Sequence, residues 1–265
     1  MSTFSKEHLD FIKSNKRKKR FISFIQISII IAFLITWEYL ANKKIINTFL
    51  FSSPSNIYKC ILKLYKSKEL FIHIKITLYE TLISFILANL IGLIVGSLLW
   101  WNKTIAKIFD PYLTIVNSLP KVALGPLIII WVGASVNSII FMALLISAII
   151  SIINIFNAFN STDNNFITLM KSFKANKWQI YTKVIIPSNI LNIINTFKIN
   201  ISMSLIGVIM GELLVSKNGL GYIIMYGSQV FNINLVISSV FILGIISYLM
   251  YFTIPYIEKK LTKNR

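Results

Sequence analysis

Six apolar stretches, each long enough to cross a bilayer as a helix, constrain the fold of this chain more than any other feature. They lie at residues 21–40, 76–101, 112–132, 138–160, 189–215 and 233–257. A spanning helix needs about 20 apolar residues, whereas strands of a membrane barrel would show alternating segments of about half that length. Because 55% of the 265 residues are apolar and 14% are charged, the sequence predicts an all-α integral membrane protein with about six transmembrane helices.

The lysines and arginines are divided unequally between the two sides of this six-span topology. Eight lie on one side, whereas 17 lie on the other, in the segments 1–20, 102–110, 161–187 and 258–265. Since basic residues are retained in the cytoplasm, both termini are predicted to be cytoplasmic. The seven lysines between Lys43 and Lys75 are an exception to this rule. The net charge of +18 is explained by topology and by anionic membrane lipid, so nucleic-acid binding is not expected.

The chain is predicted to be a basic N-terminal segment, residues 1–20, followed by a single transmembrane domain, residues 21–265. Internal repeats and low-complexity linkers are not evident. The basic run Lys16–Arg20 before the first apolar stretch imitates a signal peptide, but that stretch ends in Trp37-Glu38-Tyr39 rather than in a small-x-small cleavage site. We therefore interpret it as a retained first span.

Motifs for catalysis, metal or cofactors are missing from the sequence. It has no HExxH, no GxSxG and no glycine-rich phosphate loop before a lysine. Cys60 is the single cysteine, so an intramolecular disulfide and a CxxC site are excluded. His8 and His73 lie outside the predicted spans and do not form a ligand pair. The sequence predicts no catalytic residue, no metal and no cofactor, and an ATP-driven process would need an ATPase from another chain.

A polar, amphipathic segment at 162–187 separates two of the apolar stretches. If Thr162 or Asp163 caps a helix, four apolar side chains fall at i, i+3, i+4 and i+7 on one face: Phe166, Leu169, Met170 and Phe173. Pro187 is predicted to mark the beginning of the next helix. The segment is predicted to be a docking surface to which a soluble partner protein binds.

Four motifs, in the same order and spacing, resemble those of ABC importer permease subunits, and within these the nitrate/sulfonate/taurine family. They are Phe51–Ile57, Asp110–Tyr112 through Ser118–Leu127, Gly211–Leu213 and Gly219–Gly221. The resemblance extends over nearly the whole chain from about residue 35. It implies a type I importer fold in a bacterial inner (plasma) membrane, with a second permease subunit forming a homodimer. It also implies cytoplasmic ABC ATPase subunits and an extracytoplasmic solute-binding protein.

The resemblance also implies that the 162–187 segment contains the coupling helix that contacts the ATPase. The family motif has an E-A-A triplet, a glycine after three further residues, and an Ile-x-Leu-Pro ending. Here the triplet is Thr168-Leu169-Met170 and the glycine position is Lys174, whose side chain disfavours a positive φ. The helix is therefore expected to continue through Lys174 or to turn differently. The residues expected to couple are Phe166, Leu169, Met170, Phe173, Lys174, Trp178 and Pro187.

Four further residues are candidates for the translocation pathway. Pro120 and Pro126 predict a kinked or locally opened third span. Lys121, about 13 Å into a straight helix, is either a pathway charge or a side chain that snorkels to the cytoplasmic face. Glu212 either pairs with a lysine, lines the exit of the binding-protein dock, or faces headgroup water.

Gly92 and Gly96 form a G-x-x-x-G motif, which predicts close helix packing.

Together these features predict the permease subunit of an ABC importer for a small solute, and buried lysines suit an anion. The alternative is a secondary transporter or channel driven by an ion gradient. That alternative requires repeated halves and paired intramembrane acids, and the sequence shows neither clearly.

Overall fold

The computed structural model describes the backbone of residues 6–262 and the side chains of residues 14–253. Within this range the regular structure is helical, which confirms the all-α prediction. The α-helices are α1 (Lys6–Asn42), α2 (Thr48–Phe51), α3 (Pro54–Lys66), α4 (Glu69–Trp101), α5 (Lys103–Ser118), α6 (Gly125–Val132), α7 (Val136–Asn160), α8 (Asn164–Ser172), α9 (Lys177–Ile180), α10 (Ile186–Ser188), α11 (Ile190–Val215), α12 (Leu220–Gln229) and α13 (Ile233–Thr262). A 3-10 helix, Lys121–Leu124, precedes α6, and a π-helix, Tyr181–Ile185, joins α9 to α10.

Helix α7 packs against both α4 and α11, and these two helices also contact each other. The backbone of α7 approaches those of α4 and α11 so closely that only glycine fits at the contacts. A Cβ on Gly92 would lie 2.0 Å from the hydroxyl oxygen of Ser151, and one on Gly207 would lie 2.5 Å from the Cα of Ala143. The predicted role of Gly92 and Gly96 in helix packing is thereby confirmed.

The same contacts give the direction of each helix. Gly92 meets Ser151 and Gly96 meets Ile155, so α4 and α7 run parallel and begin at the same end of the bundle. We call that end, where α12 lies, the α12 end, and the opposite one, where α8 lies, the α8 end. Successive residues of α11 meet α7 in reverse order, so α11 runs from the α8 end to the α12 end.

Because α4 ends at the α8 end and α7 begins at the α12 end, the chain must cross the bundle between them. Helix α5 and the 3-10/α6 segment make this crossing and meet at an angle of 85°. Within the described residues, five further helices are long and apolar enough to span a membrane: α1 over Ser14–Asn42, α4, α7, α11 and α13 over Ile233–Thr253. The bent pair supplies the sixth span, and its bend confirms the predicted break at Pro120–Pro126.

Helix α1 runs without interruption from Lys6, so the predicted basic segment, 1–20, and the predicted first span, 21–40, lie on one helix over the described residues. The beginning of the second span differs from the prediction. Helix α4 begins at Glu69 rather than at 76, which places His73 in the spanning helix and not outside it. The side chain of His8 lies outside the described residues.

The α12 end is closed by short helices that pack onto the spans. Leu64 of α3, Leu205 of α11, and Leu220 and Ile223 of α12 are buried in one apolar cluster with α13. Helix α3 is also tied to α1, because the Ser55 hydroxyl donates to a Glu38 carboxylate oxygen at 2.8 Å. The α12 end is therefore a packed polar and apolar cap rather than a set of loose loops.

Candidate functional site

The 162–187 segment folds into a short helix at the α8 end. The Asp163 carboxylate accepts the backbone N–H of Asn165 at 2.8 Å, so Asp163 is the N-cap of α8. This agrees with one of the two caps that the sequence offers. Helix α8 lies outside the six spans, in the connection from α7 to α11.

The four predicted apolar side chains of this segment do not share one environment. Phe166 and Leu169 are each 54% exposed and Phe173 is 75% exposed. Met170 instead packs, with Ile167, on a buried cluster that includes Ile155 and Phe159 of α7. The four residues have the predicted helical spacing, but they do not form one exposed stripe, because Met170 anchors α8 to the bundle. We call Phe166, Leu169 and Phe173 the exposed triplet.

The end of α8 is a tight turn centred on Lys174. Lys174 has a φ of +56°, and the N–H of Ala175 donates to the Met170 carbonyl at 3.0 Å. This is the hydrogen-bond pattern of a Schellman motif, in which glycine usually takes the left-handed position. Of the two expected outcomes, continuation of the helix through Lys174 is therefore wrong: the helix ends, and the lysine itself takes the left-handed position of the turn.

Aromatic side chains fix the segment to the end of α4. The Lys177 ammonium donates to the Trp101 carbonyl and lies 5.4 Å from the centre of the Trp101 ring. Trp178 lies 6.0 Å from Trp101 and 5.8 Å from Tyr181 between ring centres, and the Tyr181 and Ser97 hydroxyls are hydrogen-bonded at 2.6 Å. Trp178 therefore connects the segment to α4.

The sequence predicts that Pro187 marks the beginning of the next spanning helix, but the structure places that beginning at Ile190. The N–H of Ile186 donates to the Tyr181 carbonyl across the wide π turn, and the helical path continues through Pro187. A π turn next to a proline accommodates the missing N–H without ending the helix. The break occurs at Asn189, whose amide donates to the Thr162 hydroxyl at 2.7 Å, and α11 begins at Ile190.

The bent span contains three of the predicted pathway residues. Helix α5 ends at Ser118 because Leu119 precedes Pro120 and has extended backbone angles. Pro126 lies in the first turn of α6. The Lys121 ammonium donates to the carbonyl and the side-chain oxygen of Asn117, at 3.1 and 3.0 Å. Lys121 therefore caps α5 at the bend, and a depth measured along a straight helix does not apply.

Glu212, the fourth candidate, is 1% exposed and does not face headgroup water. Its carboxylate accepts the Thr77 hydroxyl of α4 and the N–H of Gly221, both at 2.6 Å. Gly219, with a φ of +109°, lies so close that a Cβ there would be 2.3 Å from a Glu212 oxygen. Among the described residues the hydrogen-bond partners of Glu212 are Thr77 and the loop before α12 rather than a lysine, which was one of the three alternatives.

A second intramembrane acid lies beside Glu212 and was missed from the sequence. Glu80 of α4 is 1% exposed and neighbours the Glu212 carboxyl. The two carboxyl groups are close enough to interact with each other, and no other group in the described part of the chain donates a hydrogen bond to Glu80. The expectation that the chain lacks paired intramembrane acids is therefore wrong. In the sequence, the one feature that could have indicated this site is a single acidic residue within the 76–101 apolar stretch.

No group of three or more His, Cys, Asp or Glu side chains in the described part of the chain could hold a metal ion.

The sequence and the fold of the chain are similar to those of known transport proteins. The sequence profile of the family described as binding-protein-dependent transport system inner membrane component matches residues 88–263. An ABC transporter permease protein of Haemophilus influenzae is 27% identical over 225 residues, which cover 84% of this chain and 91% of the relative. The aliphatic sulfonates transport permease SsuC of Bacillus subtilis is 25% identical over 86% of this chain and 83% of its own length.

Solved structures support the same fold. A chain of the MetNI methionine ABC transporter in an inward-facing conformation superposes with a TM-score of 0.66 and 22% identity, covering 74% of this chain and 98% of that chain. The ion-gradient alternative is not supported, although the chain has a pair of intramembrane acids. The chain belongs to the family of inner-membrane components of binding-protein-dependent transport systems, and it is a permease subunit of an ABC importer.

Proposed function

We propose that the exposed triplet is the contact through which a separate cytoplasmic ATPase drives this permease. Phe166, Leu169 and Phe173 project from α8, while Met170 and the Lys177–Trp101 contact hold the segment rigidly against α7 and α4. A rigid helix with an exposed apolar face suits insertion into a groove of a partner. Closure of that partner on ATP would then move the ends of α4, α7 and α11 together.

The orientation of the chain is part of the same proposal. The α8 end carries four lysines in the 162–187 segment and the two of 102–110, and α1 and α13 bring both termini to this end. The positive-inside rule therefore supports a cytoplasmic α8 end and an outward α12 end, where a solute-binding protein would dock. A cysteine at Asn164, in a Cys60→Ser background, should react only from the cytoplasmic side and one at Ser135 only from outside. Reaction of both from one side would overturn this orientation.

The proposed assembly is a homodimer of permease subunits that carries a small anionic solute. The relative SsuC is named for aliphatic sulfonates, and Lys121, at the bend flanked by Pro120 and Pro126, would present a positive charge to such a solute. Glu212 would act indirectly, by holding α4, α11 and the loop before α12 in one arrangement. Two copies of the chain with different affinity tags should purify together from one membrane extract.

Photo-crosslinking tests the coupling contact directly. Benzoylphenylalanine at Phe166 should crosslink this chain to the ATPase subunit when both are expressed together. The same group at Ile130, which is 75% exposed near the α12 end, is the matched control and should give no ATPase adduct. Equal adducts from both positions, or none from Phe166, would contradict the proposal.

A further inference from the structure

A cavity of about 780 Å³, lined by both polar and apolar side chains, opens at the α12 end of the bundle, far from α8. It lies between α3, the first turns of α4, α12 and the beginning of α13. Its walls contain lysine, histidine, tyrosine and asparagine side chains. Neither the coupling contact nor the bent span uses it.

One wall of the cavity carries positive charge. Lys59 and Lys63 lie one turn apart on α3, and both line the cavity with exposed side chains. Glu69 is the acidic residue of the lining, and the charge of Lys59 also reaches Glu38 outside it. Two ammonium groups on one face of a helix, against one carboxylate in the lining, favour an anion over a cation.

Three stacked rings, on α4 and α12, form another part of the cavity lining. His73 and Tyr222 have ring centres 6.0 Å apart with planes at 23°, and Tyr222 and Tyr226 have centres 6.1 Å apart with planes at 22°. The stack is held in place because His73 Nδ1 accepts the N–H of Gly219 at 2.9 Å. Such a wall can pack against an apolar or aromatic group, and its hydroxyls can donate to an anion.

The cavity also explains part of the charge distribution that departs from the positive-inside rule. Seven lysines lie between Lys43 and Lys75, on the side that this rule leaves poor in positive charge. Clustered charge of one sign around a cleft raises the local concentration of the opposite ion. Two of the seven, Lys59 and Lys63, line the cavity, and an anionic ligand gives these two a role that membrane topology does not.

We propose that this cavity binds a small organic anion on the permease itself, with its sulfonate or carboxylate group at Lys59 and Lys63 and its apolar part on Tyr222 and Tyr226. The inference rests on the proposed function only for the outward orientation of the cavity. Binding here requires neither the ATPase nor the exposed triplet.

Cys60 supplies the test, because it is the single cysteine of the chain and lines the same cavity. The full chain is purified in nanodiscs of neutral phosphatidylcholine. The rates of Cys60 modification by sulfonatoethyl methanethiosulfonate, an anion, and by its trimethylammonioethyl analogue, a cation, are then compared. The ratio of the two rates cancels any change in the reactivity of the thiol.

The Lys59→Gln/Lys63→Gln variant should lower the anion-to-cation rate ratio about tenfold. The Lys44→Gln/Lys66→Gln variant removes equal charge outside the cavity lining and should keep the ratio within about twofold. Benzenesulfonate should protect Cys60 in a saturable way and neutral benzyl alcohol should not. Tyr222→Leu should weaken protection by benzenesulfonate more than protection by inorganic sulfate.

Three results would overturn the inference: an unchanged ratio in Lys59→Gln/Lys63→Gln, an equal loss in the control variant, or no protection by benzenesulfonate. Protection by a solute-binding protein alone, with none by small anions, would instead make this end a protein-docking surface and would also overturn it. If the crosslinker at Phe166 gives no ATPase adduct but benzenesulfonate still protects Cys60, the proposed coupling contact is refuted and the anion site is supported.

Discussion

The carboxylate of Glu212 accepts a hydrogen bond from the hydroxyl of Thr77 at 2.6 Å, although 135 residues separate the two in the chain. The Thr77 oxygen accepts the N–H of Leu220 at 2.9 Å, and the second Glu212 oxygen accepts the N–H of Gly221. The pair thereby ties α4 and α11 to the first turn of α12. In a membrane, buried backbone donors of this kind have no water to replace a lost acceptor.

Replacing Glu212 by alanine should destabilise the α12 end. The change leaves the Gly221 N–H and the Thr77 hydroxyl without their acceptor, at an expected cost of about 3 kcal/mol. Glu212→Gln keeps one acceptor oxygen and should cost about 1 kcal/mol. Thermal unfolding of the purified chain in detergent, followed by tryptophan fluorescence, measures the difference. Identical midpoints for the wild type and Glu212→Ala would show that the hydrogen bonds contribute nothing to stability.

Replacing Lys174 by glycine should stabilise the turn after α8. The left-handed conformation of Lys174, with a φ of +56°, costs about 1 kcal/mol of conformational free energy relative to glycine, which adopts it freely. Lys174→Gly should therefore raise the unfolding midpoint and retain ATPase binding, whereas the β-branched Lys174→Val should lower the midpoint. Lys171→Gly, in the last turn of the same helix, is the matched control and should lose about 1 kcal/mol. A lower midpoint for Lys174→Gly would rule out the left-handed turn.

The bend in the third span has its own prediction at Lys121. Lys121→Met removes the charge at similar length, so uptake of an anionic solute should fall about tenfold while the assembled complex survives. Lys121→Arg keeps the charge and should retain most of the uptake. If Lys121→Met shows normal uptake, then Lys121 does not contribute its charge to transport, and its role is only to cap α5 through Asn117.

The spans could be predicted from the sequence because the lipid core imposes its own length on each helix. The runs ending at Trp101, Asn160 and Val215 all end within a residue of the observed helices. The break at Pro120 followed from the restriction that a proline imposes on the preceding residue. The 85° angle did not, because it depends on how α6 packs against α7 and α11.

The candidate site was only partly predictable from the sequence, for physical reasons. A helical wheel places Met170 with Phe166 and Leu169, but it does not show which side of a wide apolar face meets the bundle. The left-handed turn at Lys174 is a case where the fold overrides local preference. The neighbouring acids Glu80 and Glu212 lie on different helices, and their contact follows only from the packing of α4 against α11.

Co-purification with the ATPase tests the central claim most directly, through Phe173, the most exposed member of the triplet. Phe173→Asp would place an unpaired carboxylate in the proposed groove, at a cost of about 2 kcal/mol or more in binding. Asn164→Asp, one added charge at an exposed position on the opposite side of the same helix, is the control. It replaces an amide by a carboxylate of the same size, and it avoids Asn165, which lies beside Leu169. We expect Phe173→Asp to lose the ATPase while the permease still inserts in the membrane, and Asn164→Asp to retain it. Full ATPase retention by Phe173→Asp, with unchanged transport, would contradict the assignment of α8 as the coupling helix.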